Sequence, residues 1–186
     1  SQTNNQSSQP TPVAIPIGGK FDSEEINILQ ILIRYGQNVM YYNDDEKTDA
    51  VTVAMYVFEE LERDGIEFHN ATHHNIMQEF KEHLNDSTFA PEKHFIYHPN
   101  AQISQLTAEL ITEKYQLSKV HSKIKKIESD EERLMDLVPR VVFEYKNRMI
   151  LEMIQQKLLE LKNASESKDY ELASKLQAEY LDLKVI

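Results

Sequence analysis

The chain has 186 residues, 40% of them hydrophobic, with neither Cys nor Trp and a formal charge of −11. That length supports one or two small domains with a real core. The lack of Cys excludes a disulfide framework, a thiolate zinc site and a thiol nucleophile, and no apolar run approaches the roughly 20 residues that span a bilayer.

With only four Gly, and with Glu, Lys, Gln and Leu abundant, the composition predicts an all-α fold. The start shows no signal-peptide pattern, which together with the missing Cys predicts a cytoplasmic location. Charge is uneven. Residues 21–100 hold 16 acids against 5 Lys/Arg, whereas residues 101–186 hold 15 against 14. An acidic first half argues against that half gripping a phosphate backbone, where Lys and Arg displace counterions. The local exception is Lys119, Lys123, Lys125 and Lys126, read as a solvated helix end, so little or no direct nucleic-acid binding is expected.

Residues 1–20 are Ser/Gln/Asn-rich and then Pro/Gly-punctuated, and read as a flexible linker to something upstream. Asp22, with Glu25 as an acidic capping box, predicts a first helix carrying Ile26, Leu29 and Ile33 and ending at Gly36 in a left-handed cap. A loop with a short extended piece leads to a second helix over Ala50–Asp64, with Val53, Tyr56, Val57 and Leu61 inward and Gly65 as its stop. Ile66–Phe68 alternates like a brief extended segment. Asn70 caps a third helix to about Asn85, Pro91 opens a short fourth, and Asn100 caps a fifth.

A long amphipathic helix then runs from Ser129 to about Lys162, with Ser129 and Glu132 as a capping box. Pro139 removes one of its hydrogen bonds and predicts a kink or break at Met135–Pro139, hence a hinge. Asn163–Lys168 is a polar turn, and a last helix from Asp169 completes an αα-hairpin. The expected layout is a linker over 1–20, a helical bundle over 21–145 and a helical hairpin over 146–186.

Chemistry is hard to place. No phosphate-binding Gly motif and no G-x-S-x-G elbow is present. His69, His73 and His74 cluster, and His94 and His98 stand four apart, a spacing that metal sites use. Neither group has a nameable third ligand, so both read as packing residues. The acidic runs Asp44–Glu46, Glu59–Glu62 and Asp130–Glu132 read as solvated faces or helix starts. No catalytic residue, metal or cofactor is expected.

The hairpin carries an apolar surplus. Met149, Ile150, Leu151, Met153, Ile154, Leu158, Leu159 and Leu161 cover more than one stripe of its first arm. Leu172 and Leu181 lie off the main stripe of the second, which is Tyr170, Ala173, Leu176, Tyr180 and Leu183. Two paired helices bury one face each. The rest meets the bundle, another chain or water, and surplus of this kind marks helix-mediated recognition.

Three segments, Ile66–Asn70 (IEFHN), Tyr115–Lys123 (YQLSKVHSK) and Glu132–Asn147 (ERLMDLVPRVVFEYKN), carry a resemblance in their order and spacing. The chain from Phe21 onward resembles the C-terminal, helicase-binding domain of bacterial DnaG-type DNA primases. The resemblance implies a bundle joined by a long helix to a hairpin that docks on the N-terminal domains of the hexameric replicative helicase. The zinc-binding and polymerase domains would lie upstream, so this part of the protein would recruit and not synthesise primers. It also implies a last helix running past Ile186. The expected contacts are Met153, Ile154, Lys157, Leu158 and Leu161 on one arm and Tyr170, Leu172, Leu176, Tyr180 and Leu181 on the other, some of them serving the hairpin's own seam. A general adaptor with another partner is the alternative expectation.

Overall fold

A computed structural model of the chain describes residues 19–112 and 130–183. Among these residues the fold is all-α, with seven helices and a single two-stranded sheet. The Lys119–Lys126 cluster, the Ser129 cap and the segment Tyr115–Lys123 lie outside the described residues.

Helix α1 (Asp22–Tyr35) is the centre of the bundle. Ile28 through Ile33 are all 1% exposed or less, including Gln30. A helix apolar on all sides has to be surrounded, and α1 packs against α2 (Val53–Arg63), α3 (Ala71–Glu82), α4 (Pro91–Ile96), α5 (Ala101–Thr112) and α6 (Asp130–Glu166). Burial of each Ile or Leu contributes about 1.5–3 kcal/mol, so α1 is the element whose loss would empty the core. The buried Gln30 amide donates to the Leu110 carbonyl at 3.3 Å, tying α1 to the end of α5.

Local signals explain most element starts. Thr52 caps α2 by accepting from the Met55 N–H. Asn70 caps α3, accepting from Thr72 and His73. Pro91 stands at the first position of α4, and Asn100 accepts from the Gln102 N–H at the start of α5.

Three expectations need correction. Ala50–Thr52 is strand β2, paired antiparallel with β1 (Val39–Tyr42), and is not the first turn of α2. Thr52 is β-branched and extended, and its hydroxyl serves the cap, so the helix begins after it. Gly36 is right-handed at φ −52°, not left-handed. Its glycine is required by space, because a Cβ there would collide with the Leu32 carbonyl oxygen and the Phe80 ring. Asp22 and Glu25 form no capping box: the α1 N-cap position, Phe21, has no side-chain cap. Gly65 does adopt the left-handed conformation, at φ +63°.

Helix α6 is 37 residues long, about 55 Å, and runs unbroken through Pro139. The carbonyl that Pro139 leaves unpaired belongs to Met135. Met135 is exposed and Pro139 is half-buried, so water can take that carbonyl. Pro139 also does not divide the bundle from the hairpin. Leu134 and Val138 before it, and Val141, Val142, Tyr145 and Met149 after it, are buried in one and the same core. The bundle therefore holds α6 past residue 145, as far as Met149. Lys146 reinforces this grip, with its buried ammonium 2.7 Å from Glu60 and 2.7 Å from Asp64 at the end of α2. Any pivot between bundle and hairpin has to lie beyond Met149.

A candidate docking hairpin and a buried carboxylate

Helix α6 and helix α7 (Tyr170–Leu183) form the hairpin. The turn is Ser167–Asp169, starting four residues later than the polar run suggests, because α6 continues to Glu166. It is a Schellman closure. The Asp169 N–H donates to the Ala164 carbonyl at 3.0 Å and the Lys168 N–H to the Ser165 carbonyl at 3.2 Å. Lys168 takes the left-handed position with φ +60°, where glycine is usual. Asp169 then caps α7, its carboxylate accepting from the Leu172 N–H at 3.1 Å.

The residues turned toward the sister helix follow helical spacing. On α6 they are Ile150, Ile154, Lys157, Leu161 and Ala164, and on α7 Ala173, Leu176, Tyr180 and Leu183. Ala164 and Leu176 are buried, and the others are half-buried. Neither Ala164 nor Leu176 belongs to the bundle's core cluster, so the hairpin has its own small seam. Of the ten expected contact residues, Ile154, Lys157, Leu161, Leu176 and Tyr180 lie in that seam. Met153, Leu158, Tyr170, Leu172 and Leu181 are exposed, from 41% for Met153 to 74% for Tyr170. Leu151, Leu159 and Phe143 are exposed as well and fall outside the ten. Their off-stripe spacing was the available signal.

One polar group crosses the hairpin. The Lys157 ammonium lies 3.1 Å from Glu160 and 2.8 Å from Glu179. The hydrogen bonds that Lys157 donates, to Glu179 first and Glu160 second, raise its pKa. Lys157 in turn holds both carboxyls below their ordinary range, with Gln156 assisting at Glu160.

The bundle contains a second notable group. Glu25 is fully buried on α1. Its carboxylate accepts from the His69 N–H at 2.6 Å, the Asn70 N–H at 3.3 Å and the Tyr145 hydroxyl at 3.4 Å. The His73 ring nitrogen Nδ1 lies 2.8 Å from it. Tyr145 also donates to the Glu67 carbonyl at 2.9 Å. Burial, then the Glu25 charge, push the Tyr145 hydroxyl far above its ordinary pKa, so it acts only as a neutral donor. Asp22 accepts beside it, from the Gly19 N–H at 2.7 Å and the Asn70 side-chain amide at 3.2 Å. Donor atoms of Asp22, Glu25 and His73 approach within 4.8 Å of one another, close enough to suggest a metal site. The N–H groups of Gly19, His69 and Asn70 already point at these oxygens, and a cation would face those positive ends. The arrangement joins α1, the α3 cap and α6, and does so with protein donors.

The second histidine pair has a similar explanation. His94 and His98 reach the two oxygens of Glu79 at 3.1 and 3.0 Å. Nδ1 of His98 accepts from the Asn100 N–H at 3.0 Å, so its proton sits on Nε2 and donates to Glu79. These rings lock α4 to α3. Among the described residues no helix is long and apolar enough to cross a membrane.

Fold and site together define an all-α protein in which a helical bundle carries a C-terminal hairpin with exposed apolar side chains on both arms. The chain belongs to the family described as a domain of unknown function (DUF8430), whose model matches residues 5–186. No curated protein and no solved structure matches it.

Proposed function

We propose that the chain is the non-catalytic docking module of a primase-type protein. In this reading the hairpin binds the N-terminal domains of the hexameric replicative helicase, and so brings upstream catalytic domains to the replication fork in the cytoplasm. The observation that carries the reading is the hairpin's exposed apolar set: Leu151, Met153, Leu158, Leu159, Tyr170, Leu172 and Leu181 are each at least 41% exposed. Apolar side chains repeated along both arms of a pair are the usual means of helix-on-helix recognition. The resemblance of Ile66–Asn70 and Glu132–Asn147 to helicase-binding primase domains supplies the partner. Weak docking at each of several helicase subunits gains avidity when more than one primase engages the ring. Co-elution of the chain with the intact helicase hexamer in gel filtration tests this. A shared peak is expected, and fully separate peaks at roughly 50 µM of each would refute micromolar docking.

A further inference from the structure

The hairpin has two flanks, and their chemistry differs. Stepping from the seam to one side of α6 gives Leu151, Gln155, Leu158, Lys162 and Ser165. The corresponding stripe on α7 is Tyr170, Ser174, Gln177 and Leu181. Neither stripe contains a carboxylate. Stepping to the other side gives Met153, Gln156 and Glu160 on α6, and Leu172, Lys175, Glu179 and Asp182 on α7. In an antiparallel pair, stripes displaced in the same sense from the two seams lie on the same side. Lys157 bridges Glu160 to Glu179 across the helices, which puts those two acids on one flank as this geometry requires. The carboxylate-free stripes therefore share the opposite flank.

Resting on the docking reading above, we infer that the partner docks on the carboxylate-free flank, and that the docked surface is an apolar helical face edged with carboxylates. Four large exposed side chains mark this flank: Leu151, Leu158, Tyr170 and Leu181, against Met153 and Leu172 on the other. Covering the second flank would strip water from the Lys157 network, and paired charges lose heavily on desolvation. Covering the first displaces water from amides, hydroxyls and apolar carbon, which is cheaper. Its exposed charge is Lys162, paired loosely with Glu166 at 3.8 Å. Acids outnumber Lys/Arg by 31 to 20 in the chain, so a strip without them is a local departure that admits an acidic edge without repulsion.

The test is fluorescence anisotropy of the labelled 186-residue chain with the intact helicase hexamer. Leu158→Gln with Leu181→Gln should weaken binding at least about tenfold, while Met153→Gln with Leu172→Gln should change it less than about threefold. Charge is tested at exposed Gln177, where Gln177→Glu should weaken and Gln177→Lys tighten binding by about two- to threefold. Single-site changes at Gln177 leave the seam intact, so they report even if a double variant folds poorly. A greater loss from the Met153/Leu172 pair, or the opposite signs at Gln177, would overturn the flank assignment alone. Absence of binding by the unchanged chain would overturn the docking reading, and the assignment with it.

Discussion

Replacing Glu25 should cost this bundle more than any surface change. The carboxylate is fully buried and receives short hydrogen bonds from the His69 N–H and the His73 ring, at 2.6 and 2.8 Å. The Asn70 N–H at 3.3 Å and the Tyr145 hydroxyl at 3.4 Å are longer and weaker. Glu25→Ala leaves the buried His73 ring without an acceptor, at about 1–3 kcal/mol, and the part-buried His69 N–H without one at a smaller cost, and opens a cavity besides. A loss of about 4 kcal/mol is expected, a large share of the roughly 5–15 kcal/mol that holds an ordinary domain together. Glu25→Gln keeps the volume but turns an amide NH₂ toward at least one donor, and should cost about 2 kcal/mol. Urea denaturation followed by circular dichroism at 222 nm measures both. The reasoning is refuted if Glu25→Gln shifts stability by less than about 0.5 kcal/mol, since the donors then do not depend on the carboxylate. Added divalent metal should restore neither variant and should not stabilise the unchanged chain, because N–H groups already occupy the oxygens.

Other outcomes follow from single positions. Lys168→Gly should stabilise the chain by about 0.5–1 kcal/mol, read as a higher midpoint, because Lys168 has φ +60° in the Schellman turn. Gly36→Ala should destabilise it by about 1–3 kcal/mol, because the added methyl meets the Phe80 ring and the Leu32 carbonyl; an unchanged midpoint would contradict that packing. The Lys157 network sets a pH window for the hairpin. Glu160 and Glu179 are lowered, so their contribution is complete above the ordinary carboxylate range and is lost as pH falls through their folded values. Lys157 is raised, so its contribution is complete below the ordinary lysine range and is lost as pH rises through its folded value. Hairpin protection in hydrogen exchange, corrected for the intrinsic rate, should therefore stay level between about pH 5 and 10 and fall on either side.

Much of the fold was legible because short-range chemistry wrote it. Asn70, Asn100 and Asp169 each mark a helix start through a partner within three residues, Pro91 does so by its fixed φ at the first position of α4, and each is found there in the structure. Helical spacing likewise picked out Val53, Val57 and Leu61 of α2 and Ala173, Leu176, Tyr180 and Leu183 of the α7 seam, but it passed over Phe58, which is buried, and took in Tyr170, which is exposed. Two kinds of feature were not legible. Glu25 looks like a capping acid from its neighbours, yet its partners lie 44 to 120 residues away, and no local pattern encodes that separation. Pro139 looks like a hinge because proline damages isolated helices, yet buried residues on both sides keep α6 in one core, and tertiary packing overrides the local penalty. The candidate site was readable in part for the same reason. Surplus apolar residues on the two arms are visible in sequence, but sorting them into seam and flank needs the pairing of α6 with α7. That pairing moves Ile154, Lys157, Leu161, Leu176 and Tyr180 into the seam. It also puts Leu172 and Leu181 on opposite flanks, so a double change there samples two surfaces and not one.

The docking account is tested most directly by titrating the intact replicative helicase hexamer with this chain in a calorimeter, alongside the Leu158→Asp, Leu181→Asp double variant. Saturable binding by the unchanged chain, lost in the variant while its helical content stays the same, is the predicted result. No binding by the unchanged chain, or equal binding by the variant, would contradict it.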